Sequence, residues 1–470
     1  MKFILAGMIG AAASLAVSSF AAAGAQTAPA PGDAAALALF RDIIAIRTVK
    51  GRGETARLAE RLADEFEKAG FARADMEFVP VDGETGFILR WRGDRSAGAG
   101  PILFLAHMDV VDVADGDWDF DPWTVTEKDG RFYGRGVVDN KYGVLTLARA
   151  FITLKQEGFA PTRDLVIAFT GDEETEMKTT RALAEKLKDA EFALNADAGG
   201  GFKAPDGGAS AYYVQAAEKT YVTFEIAARN KGGHSSQPRE DNAIYDLADA
   251  LVKIEAHEFP VMWNEVTLKE MAASSEIESP ETAAAMRAFV RKPGDRKAAK
   301  KLLGVDYLRN GLRTTCVATM LKAGHAENAL PQSATATVNC RVFPGVPVEA
   351  VKAELQRVVG DPAIEFATLG DPVESPASIP GPELERAVLA AAQAQAEVTR
   401  VIPYMEAGGT DGMHFRRAGV PTFGVGPMFV GEGDVDGIHG RHESISAGTF
   451  YSGLKHFPAL IRAVAGRPDD

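Results

Sequence analysis

Three apolar runs in this chain each end in side chains able to hold a metal ion. Ile102-Leu103-Phe104-Leu105-Ala106 leads into His107 and then Asp109. Leu165-Val166-Ile167-Ala168-Phe169-Thr170-Gly171-Asp172 leads into Glu173 and Glu174. Phe192-Ala193-Leu194-Asn195-Ala196 leads into Asp197. Continuous apolar runs of this length read as strands buried on both faces. Such strands need helices above and below them, which is the environment of an α/β sheet. Ligands at their ends then fall where open α/β sheets place their chemistry.

The intervening segments agree. Residues 34–48, 54–69, 141–157 and 178–189 carry helical periodicity, and 76–81, 86–92 and 101–106 read as strands. The character changes near Gln215. Tyr221 to Ile226 alternates like a half-exposed strand. A helix at 241–256, a less regular stretch at 260–310, strands at 313–323 and 334–343, a helix at 347–358 and a strand at 363–368 follow. This β-α-β-β-α-β order suits an inserted α+β, ferredoxin-like layer. The expected organisation is a catalytic α/β domain over 33–216 and 372–466, with helices on both sheet faces, interrupted by a lid and dimerisation domain over 217–371. Val420 to Gly426 reads as a returning buried strand.

Residues 1–25 read as a signal peptide. Lys2 precedes an apolar stretch from Phe3 to Phe20, and Ala23-Gly24-Ala25 forms a cleavage signal before Gln26. The mature chain is therefore expected to be exported, periplasmic or secreted. No later segment is apolar for the ~20 residues a membrane helix needs, so no membrane contact is expected after cleavage. A net charge of −14 argues against nucleic acid, since nothing would neutralise phosphates. Cys316 and Cys340 lie in two expected strands of the insert, where a bridge and a reduced pair are both open.

His107, Asp139, Glu174, Asp197 and His439 make a metal donor set without cysteine, which suits zinc first and cobalt or manganese as alternatives. A carboxylate bridging two ions can hold them ~3.5–4 Å apart. The adjacent Glu173 and Glu174 can divide the tasks of base and ligand. Taken singly, each residue has an ordinary use: Asp109 as a cap, Asp139-Asn140 as a turn, Glu173-Glu174 as a solvated pair. Their order and their strand-end settings favour the joint reading.

The sequence resembles the co-catalytic metallopeptidase family of glutamate carboxypeptidase, carnosinase, aminoacylase and succinyl-diaminopimelate desuccinylase, from about residue 35 to 460. The marks are His107-Met108-Asp109, Gly134 to Lys141, Gly171-Asp172-Glu173-Glu174, Gly232-Gly233-His234-Ser235-Ser236, Asn328-Ala329-Leu330-Pro331 and Ile438-His439-Gly440. The resemblance implies two divalent ions per chain bridged by Asp139, with His107 and Asp197 on one and Glu174 and His439 on the other. It implies Glu173 as general base and Asp109 as the carboxylate orienting His107. His442 competes for the last ligand position, and the His-Gly-x-x-Glu setting ending at Glu443 favours His439. By the same resemblance His234 steadies an oxyanion in a partner subunit, so a homodimer is implied. Arg341, Asn328, Gly409 and Thr410 would contact substrate.

The implied activity is metal-dependent cleavage of the amide bond in a small peptide, of dipeptidase or carboxypeptidase type. The alternatives are an N-acyl amino acid deacylase and, in a different class, a non-catalytic periplasmic binding protein. Asp at 197 leans toward dipeptidase and aminopeptidase branches, whereas the long His107-to-Asp139 segment with Trp118, Trp123 and Tyr133 resembles vacuolar carboxypeptidase and N-acyl amino acid hydrolase relatives.

Overall fold

The computed structural model describes residues 31–96, 98–114, 116–203 and 210–467. The expected signal peptide lies outside the described residues. Among those described, no helix is long and apolar enough to cross a membrane. The chain forms two compact units. One holds residues up to 216 together with 378–404 and the stretch from 410 onward, and the other holds 217–377 and 405–409. The insert thus runs six residues past the expected boundary at 371 and also takes in 405–409. A backbone bond from Lys219 N–H to Glu406 O (3.0 Å) anchors that short segment within its unit.

The first unit is built on a ten-stranded mixed sheet. Its centre is four parallel strands in the order Leu165–Thr170, Ile102–His107, Phe192–Asn195 and Thr422–Gly424. Every residue of Ile102–His107 and Leu165–Thr170 is buried, as their unbroken apolar runs require. Leu103, Leu105, Val166, Ala168 and Ala193 face the helix Lys178–Lys186 through Leu183 and Ala184. The alternate residues face the other layer, where Phe104 meets Phe151 of the helix Lys141–Gln156 edge-on at 5.4 Å and Phe87 stacks on Phe66. Fully burying each such ring contributes roughly 2 kcal/mol, so the strand ends stand on a stiff base.

The sheet is not purely parallel. Glu84–Trp91 and Met76–Val81 add antiparallel at one side. Gly200–Phe202, Ser210–Glu218, Phe429–Val430 and Val398–Glu406 extend the other. The short strands among these are too brief to show a period in sequence.

The second unit carries a four-stranded antiparallel sheet in the order Thr315–Ala323, Ser333–Val342, Thr220–Arg229 and Glu365–Leu369. The helices Ala243–Ala256 and Val348–Val359 share one core with it around Phe224, Val338 and Leu355. This is the expected ferredoxin-like layer. Cys316 and Cys340 face each other in register on neighbouring strands and are joined in a disulfide.

The stretch expected to be irregular at 260–310 is instead four helices: Glu265–Ser274, Pro280–Arg291, Arg296–Leu302 and Asp306–Gly311. They have their own core of Met271, Met286, Phe289, Leu302 and Leu308. Their start signals are local. Asn264 forms a capping box with Thr267, Ser279 caps ahead of Pro280, and the Asp295 carboxylate accepts from the N–H groups of Lys297 and Ala298. Two of the helices span under two turns, and the other two bury threonine, serine or alanine on the inward face, so no apolar period stands out.

Candidate metal centre

The C-terminal ends of three central strands deliver the first donors. His107 is the last residue of its strand, and its ring is wholly buried. Its Nε2 lies 2.9 Å from Asp139 Oδ1 and 3.5 Å from Asp197 Oδ1. Its Nδ1 faces the Asp109 carbonyl at 3.0 Å and Asp109 Oδ1 at 3.4 Å. Asp109 has a second duty. Its two carboxylate oxygens accept the backbone N–H groups of Glu173 (3.1 Å) and Glu174 (3.0 Å). One carboxylate therefore aligns the ring of His107 with the tip of the neighbouring strand.

The other donors come from loops. A small antiparallel sheet pairs Val435–Asp436, Ser444–Ser446, Arg131–Tyr133 and Thr126–Lys128. Asp139 follows one of its strands and His439 precedes another. The buried Glu443 carboxylate fixes the Asp139 loop by accepting from the N–H groups of Gly136 (3.0 Å), Val138 (2.8 Å) and Asp139 (3.0 Å), and from Arg135 Nη1 (2.7 Å). Asn140 Nδ2 donates to Asp197 Oδ1 at 2.8 Å. The Asp139–Asn140 peptide bond is cis.

Asp139 sits between two imidazoles. Oδ1 faces His107, while Oδ2 lies 3.1 Å from His439 Nε2. His439 Nε2 is also 2.8 Å from Glu174 Oε1. Donor atoms gather into the groups His107, Asp139, Asp197 and Asp139, Glu174, His439, which share Asp139, and His107 further groups with Glu173 and Glu174. His442 turns elsewhere: its Nε2 lies 3.2 Å from Asp119 Oδ2 and its ring packs beside Trp118 and Phe120. Of the two competing histidines, His439 is the one gathered with the carboxylates.

The electrostatics are those of a buried acidic cluster. Burial pushes the Glu173 carboxyl well above the ordinary range; His107 opposes this, and Asp197, Asp411 and Glu174 reinforce it. Glu174 and Asp197 are raised too, again by burial first. Hydrogen bonds to Asp139 and Glu174 lift His439 to about 10. Asp411, which sequence reasoning missed, is fully buried, accepts from the hydroxyls of Thr170 and Thr180, and is pushed by burial up to about 7. Its approach behind the strand end has no signal in a one-dimensional reading. Asn140 and Glu443 were visible only as members of their motifs.

The remaining expected residues are divided between the units. Thr410 belongs to the first, where its buried hydroxyl oxygen accepts from Gly412 N–H at 3.1 Å. His234, Asn328, Arg341 and Gly409 belong to the second. His234 is exposed on the two-residue strand Gly233–His234, paired with Ala329–Leu330, and its Nδ1 lies 2.8 Å from Ser236 Oγ. Asn328 joins that hairpin by accepting Ser235 N–H at its carbonyl (3.1 Å). Arg341 stands over the Tyr221 ring at 4.7 Å and donates from Nη1 to Ala407 O at 3.2 Å. Gly409 is exposed in the 405–409 segment.

The model of peptidase family M20/M25/M40 matches residues 103–463. The chain belongs to this family. Among its relatives, the N-fatty-acyl-amino acid synthase/hydrolase PM20D1 of Xenopus tropicalis is 29% identical over 356 residues, covering 74% of this chain and 69% of that protein. The probable carboxypeptidase S-like 2 of Dictyostelium discoideum is 26% identical over 392 residues, covering 80% of this chain and 73% of that one. The solved structure of the M20 family metallo-carboxypeptidase Sso-CP2 from Sulfolobus solfataricus shares the fold with a TM-score of 0.69 at 19% identity, covering 91% of this chain and 98% of that one. This M20 chain is accordingly a metallopeptidase-type hydrolase of amide bonds.

The donor set fits the divalent ions of a dinuclear M20 peptidase. Asp109, Asp139, Glu173, Glu174 and Asp197 crowd two histidines, and burying that many carboxylates is costly unless cations offset them. Cations here would draw the raised carboxyls back toward ionisation.

Proposed function

We propose that this protein is an exported exopeptidase or amidohydrolase that cleaves a small peptide or N-acyl amino acid next to a residue with a free carboxylate. The observation that carries the reading is the Asp139 carboxylate shared between the imidazoles of His107 and His439, with Glu173 alongside. His107 and Asp197 would hold one ion, Glu174 and His439 the other, and Asp139 both. Zinc is the first choice for nitrogen and carboxylate donors, with cobalt or manganese as alternatives. When bound, such ions supply Lewis acidity for the scissile carbonyl and lower the pKa of a water molecule.

Glu173 takes one proton from the attacking water at its carboxylate. The water oxygen joins the carbonyl carbon, the carbon–nitrogen bond breaks, and Glu173 passes the proton to the departing amine. Asp109 holds His107 and the Glu173 backbone in place throughout. By family resemblance, His234 steadies the oxyanion, Arg341 and the Gly409-Thr410 loop receive the carboxylate, and Asn328 contacts the substrate.

Two relatives favour a carboxylate on the amine half, since an N-fatty-acyl-amino acid and a carboxypeptidase substrate share that feature. A panel of dipeptides, N-blocked dipeptides and N-acyl amino acids tests it. Blocked dipeptides and N-acyl amino acids should be cleaved, and their amides should not. An absolute need for a free α-amine would favour dipeptidase or aminopeptidase action and remove the N-acyl branch, and full activity on C-terminal amides would overturn the reading. Arg341→Ala should raise KM about 10- to 100-fold, the worth of a charge-assisted hydrogen bond. An unchanged KM removes Arg341 from the assignment.

Export and dimerisation are part of the proposal. The basic, apolar and A-x-A segments of residues 1–25 support export, and the Cys316–Cys340 bridge suits an oxidising compartment. The edge strand Thr315–Ala323 exposes Val317, Met320 and Leu321, and the helix Ala243–Ala256 exposes Tyr245 and Val252. An unpaired edge with apolar residues is a template for a second copy. Protein from the periplasm or medium should begin at Gln26 and scatter light as a dimer. An uncleaved N-terminus would refute cleavage after Ala25, retention of the protein inside the cell would refute export, and a fully active monomer would refute the role of His234 in a partner subunit.

A further inference from the structure

The turn that delivers His439 is an unfavourable piece of backbone. It runs from Gly437 to Glu443 between the strands Val435–Asp436 and Ser444–Ser446. His439 has φ +56° and His442 φ +55°, both in the left-handed region that side chains with a Cβ disfavour. Such residues persist only where surroundings over-determine them. On one side the surroundings are clear: Arg135 Nη2 donates to Gly440 O at 2.9 Å, and Gly134 N–H to Glu443 O at 3.1 Å.

On the other side lies a segment of the long His107-to-Asp139 connection that no step of the mechanism uses. Trp118 and Phe120 pack edge to face at 5.8 Å. Both flank the His442 ring, at 5.5 Å and 5.1 Å, and Phe120 also meets Tyr133 at 5.4 Å. Asp119 Oδ2 faces His442 Nε2 at 3.2 Å. Arg441 Nε donates to Asp117 O, and the Arg135 guanidinium lies 5.6 Å from the Trp118 ring. Trp118 thus touches both His442 and the arginine that holds Gly440.

We propose that Asp117–Phe120 is a clamp that fixes the Gly437–Glu443 turn through His442 and Arg441, and so positions the His439 imidazole as a ligand beside Asp139 and Glu174. Trp118, Phe120 and His442 are positioning residues for one ion of the pair. Of the other ion's residues, His107 and Asp197 follow strand ends that the clamp does not touch, and the shared Asp139 is held by Glu443 at the end of the turn that Gly134 N–H and the Ser444–Tyr133 strand pairing fix independently of the clamp. This rests on the dinuclear reading, and the wild-type metal content checks that reading separately.

The test is zinc content per chain, with stepwise removal by a chelator of graded strength, on full-length mature protein. Wild type should hold two ions; fewer would overturn the dinuclear reading itself. W118A/F120A should hold one ion tightly and bind the second roughly 10- to 100-fold more weakly, the usual cost of losing a ligand's support. W118F should restore the second ion, and H439A should show the same one-ion state, to which W118A/F120A adds nothing. If the aromatic pair is needed for folding, H442A and D119A, changes at partly and largely exposed side chains, carry the same prediction with a smaller shift. Two ions held as tightly as in wild type, or both weakened together, would overturn the clamp.

Discussion

Glu173→Ala keeps two metal ions per chain and lowers kcat by roughly 10^3- to 10^4-fold, the upper range for losing a positioned acid–base group. The two halves of this result come from neighbouring residues with different geometry. Glu174 reaches His439 at 2.8 Å and groups with Asp139, so its carboxylate belongs to a donor set that remains intact in the variant. Glu173 is itself buried, and burial pushes its carboxyl well above the ordinary range. That shift belongs to the metal-free centre; bound cations would draw the carboxyl back toward ionisation, the form that takes a proton from water and gives it to an amine. KM should change little, since no binding contact of the substrate is assigned to Glu173. Zinc analysis and steady-state kinetics on one preparation read both halves. Near-normal turnover would remove Glu173 as the base, and loss of an ion would make it a ligand instead.

The parts of the fold and site that could be read from the chain are those where one physical cause dominates. Ile102–His107 and Leu165–Thr170 are buried on both faces, so their apolar runs are unbroken and their ends are legible as ligand positions. Ser333–Val342 alternates between buried and half-buried residues, and its period of two shows in the sequence. Asn264, Ser279 and Asp295 mark the starts of the helices between 265 and 311, but Arg296–Leu302 and Asp306–Gly311 span under two turns, Glu265–Ser274 buries Thr267 and Ser274 beside its apolar residues, and Pro280–Arg291 fills half its buried face with alanine, so no clear period emerges. The donors themselves were legible because motif order survives folding. What supports them was not. Glu443 meets the Asp139 loop, Asp411 meets Thr170 and Thr180, and Asp119 meets His442 only once distant segments are brought together. Choosing between His439 and His442 by the family pattern agrees with the geometry, but the reason that His442 faces Trp118 and Phe120 is three-dimensional.

Asp139→Ala should lose both ions, and with them all measurable turnover. No other single donor should behave this way. Asp197 groups with His107 and Asp139, so Asp197→Ala removes support from one ion; Glu174 and His439 stand in the other group. Asp139 alone has an oxygen toward each imidazole, 2.9 Å from His107 and 3.1 Å from His439. Two cations held close together repel strongly, and a bridging carboxylate is what offsets that repulsion. The substitution need not disturb the loop, because Glu443 holds the backbone N–H groups of Gly136, Val138 and Asp139, and a methyl side chain alters none of those bonds. A folded variant with near-native far-UV circular dichroism, no bound zinc at concentrations that saturate wild type, and activity at least ~10^4-fold down is the expected outcome, with the kinetic loss set by the combined terms that metal sites supply. A variant that still retained one ion at wild-type affinity would show that the two positions are independent, and the shared-carboxylate account of this centre would fail.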